Sequence, residues 1–199
     1  MKIGIFGGSF NPIHIGHVTL AKTLREKAAL DEVWLMVSPL NPLKQGNTDL
    51  LSDQLRYQLA RIALHGEPGI KACNYELHLP KPSYTWNTLQ HLRQDFPDHT
   101  FILLIGGDNW QNFHRWYRAA DIMREHEIVV YPRRGSGMED THHNAGEGLD
   151  RQGACGNIRI VDTALIDVSS TDIRLRVQRG EPITHLVPAP IEKLVRRLY

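Results

Sequence analysis

The chain has 199 residues, of which 41% are hydrophobic and 23% charged, and its formal net charge is +1. This composition is typical of a globular protein, and the near-neutral charge excludes a generally basic, nucleic-acid-binding surface. Two distant cysteines, Cys73 and Cys155, argue against a disulfide framework or a zinc–cysteine site. No apolar run approaches the ~20 residues that span a bilayer, and the chain starts on a strand-like segment rather than a leader. We therefore expect a soluble, cytoplasmic protein without a membrane partner.

In the first half of the chain, short apolar runs alternate with segments of helical periodicity. Strands are predicted at Lys2–Phe6 and Glu32–Val37, the second halted by Pro39 and Pro42. Helices are predicted from Ile15 to about Ala29, from a cap at Ser52 to about His65, and from Trp86 to about Asp95. In the second helix, the spacing of Leu55, Leu59 and Ile62 predicts one shared apolar side.

The second half continues the alternation. Strands are predicted at Phe101–Ile105, Ile128–Tyr131 and near Ile158–Val161, and helices at Ala119–Glu125, Ser170–Arg179 and Pro190–Leu198. Residues 132–157 are rich in Gly, Asp, His and Arg without an apolar period, which predicts a surface loop or flap. Strands joined by helices predict a single-domain, Rossmann-like α/β fold over residues 1–199, with a mostly parallel sheet and helices on both faces. Ligands of such sheets bind at the carboxyl ends of the strands.

A first candidate motif follows the first predicted strand, where Gly7, Gly8, Ser9 and Phe10 lead to His14-x-Gly-His17. Small residues here let a phosphate approach the backbone, and the following helix is expected to offer N–H groups without partners and a positive dipole end. Residues i and i+3 at a helix start point the same way, so both histidines are expected to face one ligand. Neither a Gly-x-Gly-x-x-Gly pattern nor a Walker-type phosphate loop is present.

A second candidate motif is Ser169-Ser170-Thr171-Asp172-Ile173-Arg174. Its hydroxyl residues can cap a helix and donate to phosphate oxygens, and Arg174 lies one turn into that helix. Alone, this run is an ordinary helix cap. Together with the first motif, it indicates a phosphate-binding site.

The two motifs together resemble the paired signature of the H-x-G-H nucleotidyltransferase superfamily. Within it, the chain is similar to the bacterial nicotinate-nucleotide adenylyltransferases over nearly its whole length. The intervening segments that carry the resemblance are Asn41–Lys44, Ser83–Leu89, Gly106–Asn109 and Trp116 with Asp121-Ile122. Two positions depart from the family pattern: Ile13 stands where a second Pro is common, and Arg134 stands in place of the Pro of Arg-Pro-Gly.

The resemblance implies that the phosphate of nicotinate mononucleotide attacks the α-phosphorus of ATP, giving deamido-NAD and pyrophosphate. It assigns catalysis to His14, His17, Lys44 and Arg174. It implies that ATP is bound by Gly7, Gly8, Ser9, Phe10, His14, His17, Gly106, Ser169, Ser170, Thr171 and Arg174. Mg²⁺ is expected to bind through the ATP phosphates, with no dedicated protein metal site.

The resemblance also implies a mononucleotide pocket. The pyridine ring is expected to stack on Trp116, with Thr85, Trp86 and Tyr117 near its carboxylate, Asp108 at a ribose, and Lys44 and Arg133 at phosphates. ATP and nicotinate mononucleotide are thus the expected partners. Nucleic acid is not an expected partner, and a homo-oligomer remains open.

Three alternatives stay open from the residues alone. One is another transferase of the same superfamily, acting on nicotinamide mononucleotide or on pantetheine phosphate. Another is a regulatory module that binds nucleotides without turnover, although this would not require both histidines. The third is a fragment of a class I aminoacyl-tRNA synthetase, which the absence of a Lys-Met-Ser-Lys-Ser stretch disfavours.

Overall fold

A computed structural model of the chain describes residues 1–39, 50–132, 157–164 and 167–199. The described residues form six strands: β1 (Lys2–Gly8), β2 (Glu32–Val37), β3 (Ile70–Cys73), β4 (Thr100–Gly106), β5 (Ile128–Tyr131) and β6 (Ile158–Ile160). All strand pairings are parallel, and the strand order is β3-β2-β1-β4-β5-β6. The order reverses beside β1, so the β1–β4 boundary is where a doubly wound sheet binds its ligand.

The same residues form seven α-helices: α1 (Ile15–Lys27), α2 (Asp53–Ala63), α3 (Thr85–Asp95), α4 (Gly107–Gln111), α5 (Ala119–Glu125), α6 (Ser170–Gln178) and α7 (Glu192–Leu198). Short 3₁₀ turns lie at Tyr75–His78, Phe113–Arg115 and Ala189–Ile191. The predicted strands and helices are confirmed to within three residues at each end. β3 and the short α4 were not predicted.

The sheet separates two apolar layers, as the fold prediction requires. Along β4, Ile102 and Leu104 face the layer that contains α1, α2, α6 and α7, whereas Phe101, Leu103 and Ile105 face α3 and α5. This alternation follows from the two-residue period of a strand that is buried on both faces. Helices therefore cover both faces of a parallel sheet, and the Rossmann-like α/β prediction is confirmed.

One detail of α2 differs from the prediction. Leu55, expected on the apolar side, is 41% exposed, while its neighbour Arg56 is fully buried. The backbone groups around Arg56 accept its hydrogen bonds, and these bonds outweigh the simple apolar period in setting how the helix is rotated. Within the described ranges, none of the helices combines the length and apolar character needed to cross a bilayer.

Candidate active site

The chain leaves β1 through a tight turn at the reversal point of the sheet. A Cβ on Gly7 would meet no protein atom within 4 Å, so the space in front of this backbone is open to a ligand. A Cβ on Gly8 would lie 2.9 Å from Cζ of Phe10, so a larger residue there would collide with that ring. Phe10 has a φ of 46° and is buried in the core beside the turn.

His14 and His17 come together at the start of α1. Their rings are stacked with centroids 3.7 Å apart, and the edge of Phe10 packs on His17 at 4.9 Å. The backbone N–H of His14 donates to Nδ1 of His17 at 3.3 Å. Because Nδ1 accepts, the proton of neutral His17 lies on Nε2, which can donate to a ligand oxygen.

The first helical N–H groups of α1 are less available than the sequence predicts. Ile15 N–H donates to the carbonyl of Leu186 at 3.0 Å, and His17 N–H donates to the carbonyl of His14 at 3.0 Å. Two donors that were expected to face an anion are thus bonded within the protein. The prediction of partnerless N–H groups is wrong at these positions, because the turn before α7 docks on Ile15 and the first turn of the helix closes on His14.

The second motif docks directly on the first. Ser169 caps α6, its Oγ accepting from Asp172 N–H at 3.0 Å. The hydroxyl of Ser170 donates to the Pro12 carbonyl at 2.9 Å, and Nη1 of Arg174 donates to the Asn11 carbonyl at 2.9 Å. The two motifs, far apart in sequence, therefore lie side by side in the structure.

These contacts divide the hydroxyl residues of the second motif. The single proton of Ser170 is used on a protein carbonyl, which makes this residue a link between the motifs. Thr171 Oγ1 accepts from Nη2 of Arg174 at 3.4 Å, and its own O–H is a donor that this bond does not use. Ser169 and Thr171 accept in these bonds, so their own O–H donors, together with the Arg174 guanidinium, are better suited to phosphate oxygens than the Ser170 hydroxyl.

Arg56 braces the same turn from α2. Its Nη1 donates to the Ser9 carbonyl at 2.5 Å, its Nε to the Leu51 carbonyl at 3.0 Å, and its Nη2 to the Ser38 carbonyl at 2.9 Å. Nη2 also pairs with the Asp53 carboxylate at 2.7 Å. Burial lowers the pKa of Arg56, and the hydrogen bond and charge of Asp53 oppose that shift.

Two residues of the predicted pyridine pocket, Thr85 and Trp86, lie at the start of α3. Thr85 is the first residue of α3, and the buried Trp86 ring packs in the core with the Arg118 guanidinium 4.7 Å above it. Trp86 is therefore mainly a core residue. Below the helix, the buried Glu76 carboxylate accepts from Thr88 Oγ1 at 2.9 Å. Burial raises the pKa of Glu76, although hydrogen bonds from hydroxyl groups oppose the shift.

The remaining predicted pocket residues follow β4. Gly106 ends the strand and caps α4, and Asp108 lies in the first turn of that helix. Trp116 is half-buried, with its ring 5.1 Å from that of Phe113, and Tyr117 is 51% exposed, with its ring 4.9 Å from that of Tyr84. The link between Tyr84 and Tyr117 joins the start of α3 to this segment.

The described structure does not cover every predicted site residue. Lys44 and Arg133 lie outside the described residues, so their roles stay predictions. Conversely, sequence reasoning missed Asn11, Arg56 and Glu76. Asn11 stands inside the first motif and was detectable by position, whereas nothing local marks the buried Arg56 and Glu76 among ordinary helix-surface residues.

A parallel sheet with these paired motifs at its reversal point defines a nucleotidyltransferase. A family model described as cytidylyltransferase-like matches residues 5–176. A protein of Bacteroides fragilis named "Probable nicotinate-nucleotide adenylyltransferase" is 42% identical over 197 residues, covering 98% of this chain and 92% of the relative. One of the same name from Exiguobacterium sibiricum is 36% identical, covering 98% and 96%. The chain belongs to the cytidylyltransferase-like family and, within it, to the nicotinate-nucleotide adenylyltransferases.

Solved structures show the same fold. The nicotinic acid mononucleotide adenylyltransferase of Plasmodium falciparum, complexed with NaAD, aligns with a TM-score of 0.74 at 17% identity, covering 99% of this chain and 93% of that chain. The same enzyme complexed with APC aligns with a TM-score of 0.71 at 16% identity, covering 99% and 93%. At these identities the likeness concerns the fold.

Proposed function

We propose that the protein transfers the adenylyl group of ATP to nicotinate mononucleotide, forming deamido-NAD and releasing pyrophosphate. The observation that carries the proposal is the docking of the second motif on the first, through Ser170 to Pro12 and Arg174 to Asn11. This contact gathers the donors suited to a triphosphate at the reversal point of the sheet. Identities of 36–42% over nearly the full length of relatives named for this activity support the same reaction.

In this reaction an oxygen of the mononucleotide phosphate forms a bond to the α-phosphorus of ATP, and the bond from that phosphorus to the bridging oxygen of pyrophosphate breaks. The protein's part is positioning and charge neutralisation rather than covalent chemistry. We propose that Nε2–H of His17 donates a hydrogen bond to the α-phosphate as negative charge develops there. We propose that the guanidinium of Arg174 neutralises the charge of the departing pyrophosphate. His14 stacks on His17 and keeps that ring in place.

Mg²⁺ is part of the proposal as an ion that arrives with ATP. The described residues bring no three His, Cys, Asp or Glu side chains together in a metal-binding cluster. The hydroxyl, histidine and arginine side chains around the turn suit phosphate oxygens rather than a cation. Mg²⁺, which binds chiefly through phosphates and water, would supply charge neutralisation on the triphosphate. The cytoplasmic location and any homo-oligomer also stay predictions.

For the acceptor we propose a preference for nicotinate over nicotinamide mononucleotide. The backbone N–H groups of Thr85 and Trp86 lie in the first turn of α3. They suit the carboxylate of nicotinate, whereas the NH₂ group of nicotinamide would bring its own hydrogens toward these donors. Leaving one buried donor without a partner costs roughly 1–3 kcal/mol, about five- to 150-fold in selectivity. We expect at least a tenfold preference in kcat/KM.

The test is pyrophosphate release from ATP and Mg²⁺ with purified protein and either mononucleotide. Release with the nicotinate acceptor at ten or more times the efficiency of the nicotinamide acceptor supports the proposal. Equal efficiency would make the protein a dual-specificity enzyme and overturn the preference. Release with pantetheine phosphate alone would overturn the acceptor assignment altogether.

A further inference from the structure

We propose that Tyr199 is a positioning residue for the ATP side of the site and acts through Asn11. The inference rests on the proposed function, because it assigns a role in holding the groups that bind ATP. Tyr199 follows α7 and is separated from Asn11 by 188 positions, yet its hydroxyl donates to Asn11 Oδ1 at 2.5 Å.

Asn11 is held from several directions. It is only 5% exposed, and its Oδ1 accepts a second hydrogen bond, from Leu51 N–H at 3.1 Å. Two donors on one oxygen fix which end of the amide faces them, because the NH₂ end could accept neither. The hydroxyl of Tyr199 thus helps to set both the rotamer and the backbone position of Asn11.

The backbone at Asn11 and Pro12 in turn holds the second motif. The Asn11 carbonyl accepts from Arg174, and the Pro12 carbonyl accepts from Ser170. A shift of this backbone moves the guanidinium that is proposed to bind the ATP phosphates. Contacts from Tyr199 to the triphosphate are not needed for this effect, which is why its role is positioning.

The surroundings of Tyr199 keep its hydroxyl a donor. Burial raises the pKa of the phenol, and the charges of Arg174 and Arg56 oppose that shift without cancelling it. The phenol therefore stays protonated at neutral pH. The ring packs at the edge of the apolar layer formed with α1, α2 and α7, so ring packing and hydrogen bonding are separate contributions.

Tyr199→Phe separates the two contributions, because it keeps the ring and removes the hydroxyl. We expect the KM for ATP to rise about three- to tenfold, the range for one lost hydrogen bond, and the KM for the mononucleotide to stay within twofold. The matched control is Tyr75→Phe. It removes a hydroxyl that donates to Asp95 Oδ2 at 2.5 Å, at the C-terminal end of α3 and not at the end where Thr85 lies. This control should leave both KM values unchanged.

A double-mutant cycle tests the route through Asn11. In an Asn11→Ala background, Tyr199→Phe should raise the KM for ATP no further. If the two effects multiply instead, Tyr199 does not act through Asn11 and the proposal fails. If Asn11→Ala does not fold, Tyr199→Phe alone tests the proposal. A KM for ATP equal to that of wild type overturns the proposal, even if the melting temperature of Tyr199→Phe falls.

Binding of a non-hydrolysable ATP analogue, measured by calorimetry, separates this inference from the proposed function. A wild-type protein that releases no pyrophosphate with nicotinate mononucleotide contradicts the function. In that case a three- to tenfold weaker analogue affinity of Tyr199→Phe would still support the role of Tyr199, and an unchanged affinity would refute it.

Discussion

The two histidines of the first motif differ in what they can do. The Nδ1 of His17 is occupied by the N–H of His14, and its Nε2 carries the proton of the neutral ring. His14 is buried at the helix start and stacked on its neighbour. His17 is therefore better suited to donate to an oxygen that gains charge, and His14 to hold the arrangement.

His17→Ala should lower kcat by about 10²–10³, the range for losing one donor that acts in the transition state. The affinity for an ATP analogue should change much less, because Arg174 and Thr171, which are also proposed to bind the phosphates, are unchanged. Steady-state kinetics with calorimetry give both values. His65→Ala, which removes an exposed imidazole beyond the end of α2, is the control. Near-normal turnover of His17→Ala would remove the catalytic assignment.

Trp116→Ala should raise the KM for nicotinate mononucleotide about two- to 30-fold, because a stacking partner contributes roughly 0.5–2 kcal/mol. The KM for ATP should stay near wild type. Trp34→Ala is the matched control, since Trp34 is also half-buried and packs on an aromatic ring, that of Phe96 at 5.7 Å. Equal losses of affinity for both substrates would instead assign Trp116 to the core.

The residues that the sequence could not reveal are those whose partners lie far along the chain. Arg56 bonds to Ser9 across 47 positions, and Tyr199 bonds to Asn11 across 188. No local pattern encodes such pairs, so an arginine in an amphipathic helix is assigned to the surface. The histidine motif was predictable because its spacing is local and its chemistry needs both side chains.

At the scale of elements, the strongest apolar runs were predicted well and the weakest was missed. β3 has four residues, its Lys71 is exposed, and it pairs only with β2 among the described strands. β6 is at least as short, but its Ile-Arg-Ile run has β-branched residues at alternate positions, whereas β3 has only Ile70. The start of α1 was predicted, but the bond from Ile15 N–H to Leu186 depends on tertiary docking.

Glu76, in the turn after β3, links β3 to α3, and its burial predicts a pH effect on stability. The pKa of its carboxyl is raised above the ordinary 4.5, so the folded state binds this proton more tightly than the unfolded state does. The resulting stabilisation is present below pH 4.5 and is lost as the pH rises through the folded-state pKa. Glu76→Gln should therefore gain stability relative to wild type as the pH rises.

Urea unfolding at pH 4, 6 and 8 measures this difference. The free energy of unfolding of Glu76→Gln minus that of wild type should increase across the series. Exposed Glu26→Gln is the control and should change stability by less than about 0.5 kcal/mol at each pH. A difference that falls with rising pH would show that the Glu76 carboxylate is stabilising when charged.

At the scale of the molecule, Arg56 joins four stretches of chain. It bonds to the turn after β1, the end of β2, the approach to α2 and the first turn of α2 itself. The parallel pairing of the sheet and its two covered faces were predicted from the alternation of strands and helices, whereas the strand order was not. This cross-link was not predicted either, because it depends on side-chain geometry after the elements have packed.

Arg56→Met should lower the free energy of unfolding by about 3–5 kcal/mol, because it leaves the backbone carbonyls of Ser9, Ser38 and Leu51 without the donor that they share. Arg61→Met, on the exposed side of the same helix, is the matched control and should cost less than about 0.5 kcal/mol. Equal destabilisation by the two variants, measured by urea unfolding, would contradict the bracing role of Arg56.

The long-range contacts of the Asn11–Pro12 turn have a consequence for the order of folding. Its partners Ser170, Arg174 and Tyr199 are 158, 163 and 188 positions away. A contact that closes such a long loop reduces the conformational entropy of the chain before it stabilises the fold. Such contacts therefore form late. The central strands can pair while this turn is still unsupported. During refolding, the pairing of the central strands should therefore precede the capacity to bind an ATP analogue.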